Sequence, residues 1–163
     1  DPLYLRYNEW TSRTAEEVRE FVQRFLDQQT QTSRSKYQFA VTLKSTGQLI
    51  GNCGVRRDSP EAHEADMGYE LDPKFWGNGY ATEAARTVMR FGFLHMNVQR
   101  ISAWCVADNV GSARVLEKLG MRLEKRMRNH QYFKGRWWDT LSYAISYEEW
   151  RRLTNHEKSN GVR

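Results

Sequence analysis

The fold is decided by the stretch Met67-Gly68-Tyr69-Glu70-Leu71-Asp72-Pro73-Lys74-Phe75-Trp76-Gly77-Asn78-Gly79-Tyr80-Ala81-Thr82-Glu83-Ala84. A strand in it ends at Asp72-Pro73, because proline cannot donate a hydrogen bond to a neighbouring strand. A loop with Gly77 and Gly79 leads from there into a helix that begins at Tyr80. Free backbone N–H groups and the positive end of the helix dipole meet at such a loop, which suits a pyrophosphate group.

Glycines in a loop are weak evidence for a phosphate site when they stand alone. A turn that only joins a strand to a helix would use the same residues. Two known nucleotide-binding motifs are excluded, because no Gly-Lys-Ser or Gly-Lys-Thr follows the loop and no Gly-x-Gly-x-x-Gly follows an early strand. The interpretation of this loop as a phosphate-binding site therefore depends on further motifs along the chain.

Hydrophobic periodicity divides the rest of the chain into strands and helices. Thr14, with Glu17 three residues later, predicts a capping box before an amphipathic helix at 14–29. Aromatic and β-branched residues then indicate strands, and two further segments have helical spacing. We predict strands at 37–43, 49–56, 65–71, 100–106, 121–128 and 137–146, helices from 80 and at 110–119, and a closing helical turn at 147–153.

Length and composition bound the class of protein. The 163 residues are enough for one domain and leave no room for a second, so we expect a single domain over 1–163, with an irregular start at 1–13 and a frayed tail at 154–163. With 39% hydrophobic and 13% aromatic residues the chain can bury a core, which excludes intrinsic disorder. No apolar run is long enough to cross a membrane and no signal peptide is recognisable, so we expect a cytoplasmic protein without membrane contact.

Charge and cysteine content exclude further classes. The net charge of +5 favours an anionic ligand such as a nucleotide or RNA, but the bias is mild. Lysines and arginines are scattered, with one denser run at 122–128, and no aromatic residues interleave with them as in a nucleic-acid platform. Cys53 and Cys105 are too few for a disulfide framework or a zinc site, so we expect reduced core cysteines and no metal.

Three motifs along the chain match one protein family. The pattern Gln/Arg-x-x-Gly-x-Gly/Ala falls on Trp76-Gly77-Asn78-Gly79-Tyr80-Ala81. An Asn-x-x-Ser helix ending in Glu-Lys-x-Gly-Phe is similar to Asn109-Val110-Gly111-Ser112-Ala113-Arg114-Val115-Leu116-Glu117-Lys118-Leu119-Gly120-Met121, and a Gly-x-Trp-x-Asp turn to Gly135-Arg136-Trp137-Trp138-Asp139. With these motifs the chain resembles the GNAT superfamily of acetyl-CoA-dependent N-acetyltransferases, in its RimJ/RimL branch, where an aromatic first residue is usual.

The resemblance implies a mixed α/β fold, with a strongly twisted sheet whose central strands are splayed and which is flanked by helices. The first strand of that fold is expected to be missing, because the chain starts with a segment that follows it in the branch. Splayed strands leave backbone groups without partners, and the amides of pantetheine can supply them. Acetyl-CoA is thus the implied cosubstrate, bound in the wedge by Tyr69, Leu71, Trp76, Gly77, Asn78, Gly79, Tyr80, Ala81, Thr82, Asn109 and Ser112.

The acceptor amine is a cation in water and must lose a proton before it attacks. Asp66 and Glu70 lie on one face of the same strand and are the candidate bases, and Asp66 holds the position where the family often carries its carboxylate. His63 and His130 are alternatives, since histidine titrates near physiological pH. The two acids could instead lie on a solvated strand face or attract a cationic substrate.

The thiolate of CoA, which is the leaving group, needs a donor of a hydrogen bond or a proton. Many family members carry a tyrosine immediately before the Glu-Lys pair, but Leu116 stands at that place here. Ser112 is the substitute that we predict, and the backbone around 69–71 would stabilise the developing oxyanion. Helix capping is the alternative role of Asn109 and Ser112.

The sequence thus predicts an enzyme that moves an acetyl group from acetyl-CoA to a primary amine, either a protein N-terminus or a small molecule, by direct attack in a ternary complex. A non-catalytic acyl-CoA sensor and a basic RNA-binding domain that contacts the ribosome are the alternatives. Tyr132, Trp137 and Trp138 form an aromatic cluster around one hairpin, which predicts a homodimer unless the rings cover the domain's own core or the acceptor site.

Overall fold

The computed structural model describes the backbone of residues 1–160 and the side chains of residues 1–156. The described residues form six strands and five helices. The strands are β1 Lys36–Thr42, β2 Leu49–Arg56, β3 Glu64–Leu71, β4 Arg100–Val106, β5 Arg122–Phe133 and β6 Arg136–Ser146. The helices are α1 Pro2–Leu5, α2 Ala15–Gln29, α3 Tyr80–His95, α4 Val110–Lys118 and α5 Tyr147–Asn160, with a 3₁₀ turn at Pro73–Phe75.

One sheet contains all these strands in the order β1-β2-β3-β4-β6-β5, with β1 at one edge. Neighbouring strands are antiparallel except β3 and β4, which are parallel and pair, within the described chain, at 64–66 with 100–102. We call these residues the closed half of the strand pair. Residues 69–71 of β3 and 104–106 of β4 have no such pairing in the described chain and form the open half, a wedge. The predicted mixed α/β fold with splayed central strands is confirmed.

The alternation along β3 determines which backbone groups face the wedge. Asp72 N donates to Ile50 O of β2 at 2.9 Å, so the backbone groups of Glu70 also point toward β2. The N–H and C=O groups of Tyr69 and Leu71 consequently point into the open half.

The same alternation applies to β4 on the other side of the wedge. Ala107 N donates to Asp139 O at the end of the β6 ladder at 2.9 Å. The backbone N–H and C=O groups of Trp104 and the backbone N–H of Val106 therefore point toward β3. Two strand edges thus face each other across the open half without being close enough to pair.

Helices α3 and α4 cover one face of the sheet, with the hydrophobic core beneath them. Gly92 lets α3 approach closely, since a Cβ at this position would lie 2.9 Å from Ile101 Cδ1. Because Ala65 and Met67 are buried on this face, Tyr69 faces the helices as well, whereas the side chains at even positions of β3 point to the opposite face. The core includes Cys53, Val55, Met67, Ala85, Met89, Phe93, Ile101, Cys105, Leu116 and Ile145.

Helix α2 forms as predicted but does not join the core. Thr14 Oγ1 accepts from Glu17 N at 3.2 Å and Glu17 Oε2 accepts from Thr14 N at 2.6 Å, which confirms the capping box. Every residue of α2 is described and none is buried. Val18, Val22 and Leu26 are 46–48% exposed. The apolar face that the periodicity predicts therefore exists, but the sheet does not cover it.

The predicted element ends differ from the structure by more than one residue in three places. The start at 1–13, expected to be irregular, contains α1, whose first turn is capped by Asp1 Oδ1 accepting from Leu3 N at 2.8 Å. Strand β5 continues to Phe133 although it was predicted to end at 128, and α5 continues to Asn160 although 154–163 was expected to fray. Both extensions, 129–133 and 154–160, are mostly polar in sequence, so they carry no periodic apolar signal. Residues 161–163 lie outside the described residues.

Candidate active site

The loop before α3 leaves the first turn of this helix accessible. Gly77 and Gly79 have φ of 79° and 83°, a region that favours glycine. A Cβ at either position would meet no atom of the described residues within 4 Å. Gly79 is the N-cap and has no side chain with which to bond the helix N–H groups. The N–H groups at the start of α3, which include those of Ala81 and Thr82, can therefore bind an anion.

Trp76 and Asn78 hold this loop in place. Trp76 Nε1 donates to Leu71 O at 2.9 Å, and Asn78 Nδ2 donates to the carbonyl oxygens of Phe75 and Trp76 at 3.2 and 3.0 Å. Because the Leu71 carbonyl points into the wedge, the Trp76 indole lies at its mouth. Tyr80 is half-buried and lines a groove between α3 and β1 rather than the wedge.

Tyr69 and Ser112 connect β3 to α4 on the helix side of the open half. Tyr69 Oη lies 2.9 Å from Ser112 Oγ and within 3.0 Å of the Ser112 carbonyl oxygen. Asn109 is the N-cap of α4, because its Oδ1 accepts from Ser112 N at 3.1 Å. The predicted cap at Asn109 is confirmed, and the Ser112 side chain faces Tyr69. Leu116 is fully buried in the core.

The hydroxyl pair has apolar surroundings. Burial raises the pKa of the Tyr69 phenol, and the hydrogen bond with Ser112 opposes this shift. Burial also raises the pKa of the Cys105 thiol to about 11, and a hydrogen bond with Ser112 again opposes it. The Ser112 hydroxyl thus lies between a phenol and a thiol that both remain protonated at neutral pH.

Glu70 lies on the opposite face of the open half. Asn52 Nδ2 donates to Glu70 Oε2 at 3.2 Å, and Gln38 Nε2 donates to Asn52 Oδ1 at 2.5 Å. Burial raises the pKa of Tyr4, and the charge of Glu70 and a hydrogen bond to its carboxylate raise it further. Side chains of β1, β2 and α1 therefore fix the Glu70 carboxylate beside the wedge.

Asp66 lies on the same face as Glu70 but in the closed half. Arg56 Nε and Nη2 both donate to Asp66 Oδ2, at 3.0 and 2.5 Å. The neighbouring Arg100 pairs with both Glu64 and Glu124. Ion pairs thus engage the carboxylates of the closed half, and Asp66 is held away from the wedge.

Sequence reasoning missed Tyr4, Tyr7 and Trp104. Tyr4 contacts Glu70, and Tyr7 Oη donates to the Asp108 carbonyl oxygen at 2.9 Å, so the N-terminal segment extends from β3 to the start of α4. Trp104 lies on the same face as Glu70 across the wedge and is 59% exposed. The pairing of β3 with β4 would have found Trp104, and contacts with residues distant in sequence would have found Tyr4 and Tyr7. No local pattern provides either signal.

The aromatic cluster of the β5–β6 hairpin is only partly exposed. Trp138 is 7% exposed, its ring stacks on Phe133 at 5.0 Å, and its Nε1 donates to Phe133 O at 3.1 Å. Tyr132 and Trp137 are 61% and 56% exposed, with ring centroids 5.3 Å apart. Trp138 therefore covers the core of its own chain, which corrects its place in the predicted interface.

Together these features define a class of protein. An accessible helix N-terminus lies at one end of a wedge of unpaired strand edges, and hydroxyl and carboxylate groups lie on its two faces. Within the described residues, no three His, Cys, Asp or Glu side chains are arranged to hold a metal ion, and no helix is long and apolar enough to cross a membrane. The fold and the wedge resemble those of acyltransferases that use an acyl-CoA.

Comparison with known protein families shows to which family the chain belongs. Residues 1–122 match the acetyltransferase (GNAT) domain, and the chain belongs to this family of enzymes. It is 38% identical over 112 residues to the uncharacterized N-acetyltransferase YnaD of Bacillus subtilis (strain 168), an alignment that covers 69% of this chain and 65% of YnaD. The chain thus spans just under two thirds of that relative's length.

Solved structures agree with this assignment. A GNAT-family acetyltransferase from Bacillus anthracis has a TM-score of 0.77 at 31% identity, covering 91% of this chain and 84% of that one. Spermidine N-acetyltransferase from Vibrio cholerae, in complex with CoA and spermine, has a TM-score of 0.79 at 16% identity, covering 93% and 86%, a likeness of fold alone. The GNAT fold implies binding of acetyl-CoA, and enzymes of the family act on amine acceptors.

Proposed function

We propose that this enzyme transfers the acetyl group of acetyl-CoA to a primary amine by direct attack in a ternary complex. The observation that carries the proposal is the open half, where the backbone groups of Tyr69 and Leu71 point into a wedge that ends at the accessible N-terminus of α3. A pantetheine arm can pair with strand edges through its amides, while the pyrophosphate attached to it binds a helix N-terminus.

On the donor side, the start of α3 and its loop bind the pyrophosphate. The residues assigned to this role are Trp76, Gly77, Asn78, Gly79, Tyr80, Ala81 and Thr82, with Trp76 at the wedge mouth through its bond to Leu71. The N–H groups of Tyr69 and Leu71 face the acetyl carbonyl and stabilise the negative charge that develops on its oxygen. Asn109 and Ser112 face the thioester from α4.

On the acceptor side, Glu70 is the carboxylate in position to take the ammonium proton, directly or through a water. Its contacts with Asn52 and Tyr4 hold it beside the wedge. The exposed Trp104 ring lies on the same face and can contact the cation before it loses its proton. Asp66, which pairs with Arg56, is assigned to the structure of the closed half.

The reaction balances with these groups. The neutral amine attacks the acetyl carbon, and the charge moves to the carbonyl oxygen in the wedge. The C–S bond then breaks with its electron pair on sulfur, and the thiolate accepts a hydrogen bond from Ser112. The ammonium proton, taken up before the attack, is on Glu70, and the second proton that the nitrogen loses after the attack ends on the CoA thiolate.

Two solved structures with the same fold support an amine acceptor, and they do not decide between a small molecule and a protein. One is the spermidine enzyme described above, and the other is ribosomal-protein-S5-alanine acetyltransferase from Vibrio fischeri, at 22% identity and a TM-score of 0.76. The second supports the RimJ/RimL branch that the motifs suggest. The acceptor that we propose is therefore a primary amine on a protein N-terminus or a small cationic molecule.

The test is release of free CoA thiol from acetyl-CoA in the presence of spermidine, an amino sugar and a peptide with N-terminal alanine. Turnover with at least one amine supports the proposal. Binding of acetyl-CoA without turnover on a wide amine panel would instead support a sensor. RNA affinity that falls steeply with salt, without turnover, would favour the RNA-binding alternative.

The homodimer remains a proposal that rests on Tyr132 and Trp137. Their rings are exposed side by side on one hairpin, and aromatic residues are enriched at protein interfaces. Sedimentation at micromolar concentration checks it, with a dimer mass expected.

A further inference from the structure

Tyr69 offers a hydroxyl that the steps above leave without a role. Its side chain is the second on the helix face of β3 beyond the closed half, after Met67, and its Oη lies 2.9 Å from Ser112 Oγ. The contact joins residues 43 positions apart and crosses from β3 to α4 on the helix side of the wedge. We infer that Tyr69 is a positioning residue, whose phenol donates to Ser112 Oγ and so directs the Ser112 proton toward the leaving sulfur.

Tyr69 Oη lies 3.0 Å from the Ser112 carbonyl oxygen, to which it can donate, and 2.9 Å from Ser112 Oγ, a contact in which either hydroxyl can be the donor. The chemistry of the two hydroxyls favours the phenol as the donor toward Oγ. A phenol is far more acidic than an aliphatic alcohol, so it is the better donor of the pair. Burial raises the pKa of Tyr69, so the phenol keeps its proton and remains a donor. Ser112 Oγ then accepts from Tyr69 and has its own single proton for another acceptor.

A sulfur atom is already within reach of this proton. Ser112 lies close enough to the Cys105 thiol for a hydrogen bond to oppose the rise in the pKa of this thiol. The geometry of the Ser112 side chain is thus compatible with donation to sulfur, and the thiolate of CoA is a stronger acceptor than a neutral thiol.

The inference rests on the proposed function, because it assigns a role within the acetyl transfer. As the C–S bond breaks, the electron pair stays on sulfur and Ser112 Oγ–H donates to it. Tyr69 neither gains nor loses a proton in this step. Without the phenol, the Ser112 hydroxyl can turn to a carbonyl oxygen of its own helix, as serines in helices do, and is lost to the thiolate.

A purely structural role is the competing explanation, since the same bond also holds α4 against β3. The two roles differ in how they depend on the leaving group. A positioning role matters for a thiolate that needs a hydrogen bond to leave, and it loses importance when the thiolate is intrinsically stable. A structural role affects every acyl donor equally.

The experiment compares Tyr69→Phe with the parent enzyme on two acyl donors, acetyl-CoA and the acetyl thioester of 4-nitrothiophenol, whose thiol is much more acidic. We expect kcat/KM to fall about 10-fold with acetyl-CoA, as for the loss of one hydrogen bond, and by less than about 2-fold with the activated donor. Ser112→Ala is expected to show the same dependence on the donor. The double variant should lose no more than Ser112→Ala alone, because both substitutions remove one shared interaction.

Tyr143→Phe is the matched control. Tyr143 is a buried phenol in the same core, and its Oη donates to Glu117 Oε1 at 3.2 Å. This variant should change kcat/KM by the same small factor with both donors. Equal losses with both donors in Tyr69→Phe, or additive losses in the double variant, would overturn the inference and leave the proposed function standing. Absence of turnover by the parent enzyme on the amine panel would overturn both.

Discussion

Asp66 and Glu70 are acids on the same face of the same strand, yet the two halves of the β3–β4 pair give them different surroundings. In the closed half, Asp66 accepts two hydrogen bonds from Arg56. In the open half, Glu70 is held by Asn52 and Tyr4 beside a wedge of unpaired backbone. Strand pairing, rather than residue type, therefore distinguishes an acid held in an ion pair from one that lies beside the wedge.

The comparison extends to the backbone of the two halves. In the closed half the ladder satisfies the backbone groups, and the ion pairs of Arg56 and Arg100 surround it. In the open half the strand edges point into the wedge, and only the helix-side bond between Tyr69 and Ser112 crosses it among the hydrogen bonds found for the described residues. An incomplete sheet thus leaves backbone groups for a ligand where a complete one has none.

Substitution of Asp66 and of Glu70 should give the largest difference in activity between the closed half and the open half. We expect Glu70→Gln to lower kcat by ~10²- to 10⁴-fold with unchanged acetyl-CoA affinity, because the amine loses its base. Asp66→Asn should keep kcat within about 3-fold and cost less than about 1 kcal/mol of unfolding free energy, since its ion pair with Arg56 is half-exposed to solvent. Steady-state kinetics and urea unfolding of both variants provide the measurement.

A larger loss of turnover in Asp66→Asn than in Glu70→Gln would reverse the assignment. The base would then lie in the closed half, and the ion pair with Arg56 would have to open during catalysis.

Substitutions at Gly79 test the anion site that adjoins the open half. Gly79→Asp places a carboxylate at the accessible end of α3, where it competes with pyrophosphate, so we expect acetyl-CoA to bind about 10- to 100-fold more weakly. Gly79→Asn is the matched control, because it brings the same size and the same positive φ of 83° without the charge. For each of the two variants, the rise in melting temperature on addition of acetyl-CoA reports its affinity for acetyl-CoA.

If both variants lose the same amount of affinity, backbone strain at this φ is the cause rather than charge. An unchanged thermal shift in a folded Gly79→Asp variant would remove the pyrophosphate from this helix.

Gly51 tests how closely β2 must approach the open half. A Cβ at Gly51 would lie 2.1 Å from the Glu70 carbonyl oxygen and 2.9 Å from Leu71 Cα. We expect Gly51→Ala to cost about 1–3 kcal/mol of unfolding free energy and to lower kcat, because β3 must shift where Glu70 and Leu71 face the substrates. Gly111→Ala is the control, since the nearest atom to its Cβ is 3.7 Å away. Wild-type stability in Gly51→Ala would show that the open half is not held by β2.

The smallest expected effect is at Trp104. We expect Trp104→Ala to raise the KM for the amine by about 2- to 5-fold without changing kcat, because an exposed cation–π contact contributes about 0.5–1 kcal/mol in both ground and transition states. Trp137→Ala is the control, since Trp137 is similarly exposed but lies on the β5–β6 hairpin. An equal rise of KM in both variants would exclude a specific contact at Trp104.

The sequence predicts the parts of this fold that depend on near neighbours. The order of elements, the Thr14 capping box, the Asn109 cap and the glycine loop before α3 are confirmed, because each is determined by residues a few positions apart. The exposure of α2 and the length of α5 were not predicted, since periodicity shows an apolar face but not what covers it.

Only those parts of the candidate site that consist of residues close together in the sequence could be predicted. The loop of Gly77 and Gly79 lies where its motif places it, although its ligand stays a prediction. The distinction between Asp66 and Glu70 depends on where β4 leaves β3, and the Tyr7–Asp108 bond joins residues 101 positions apart. No pattern within one segment contains such contacts.

The central claim is that acetyl-CoA pairs with the strand edges of the open half. Residue-resolved amide hydrogen exchange, with and without acetyl-CoA, tests it most directly. The account predicts that the amides of Tyr69, Leu71 and Trp104, which face the wedge, slow markedly more than those of Glu70 and Cys105, which face β2 and β6. Equal slowing of both sets, or no slowing of the wedge-facing amides at a saturating acetyl-CoA concentration, would contradict it.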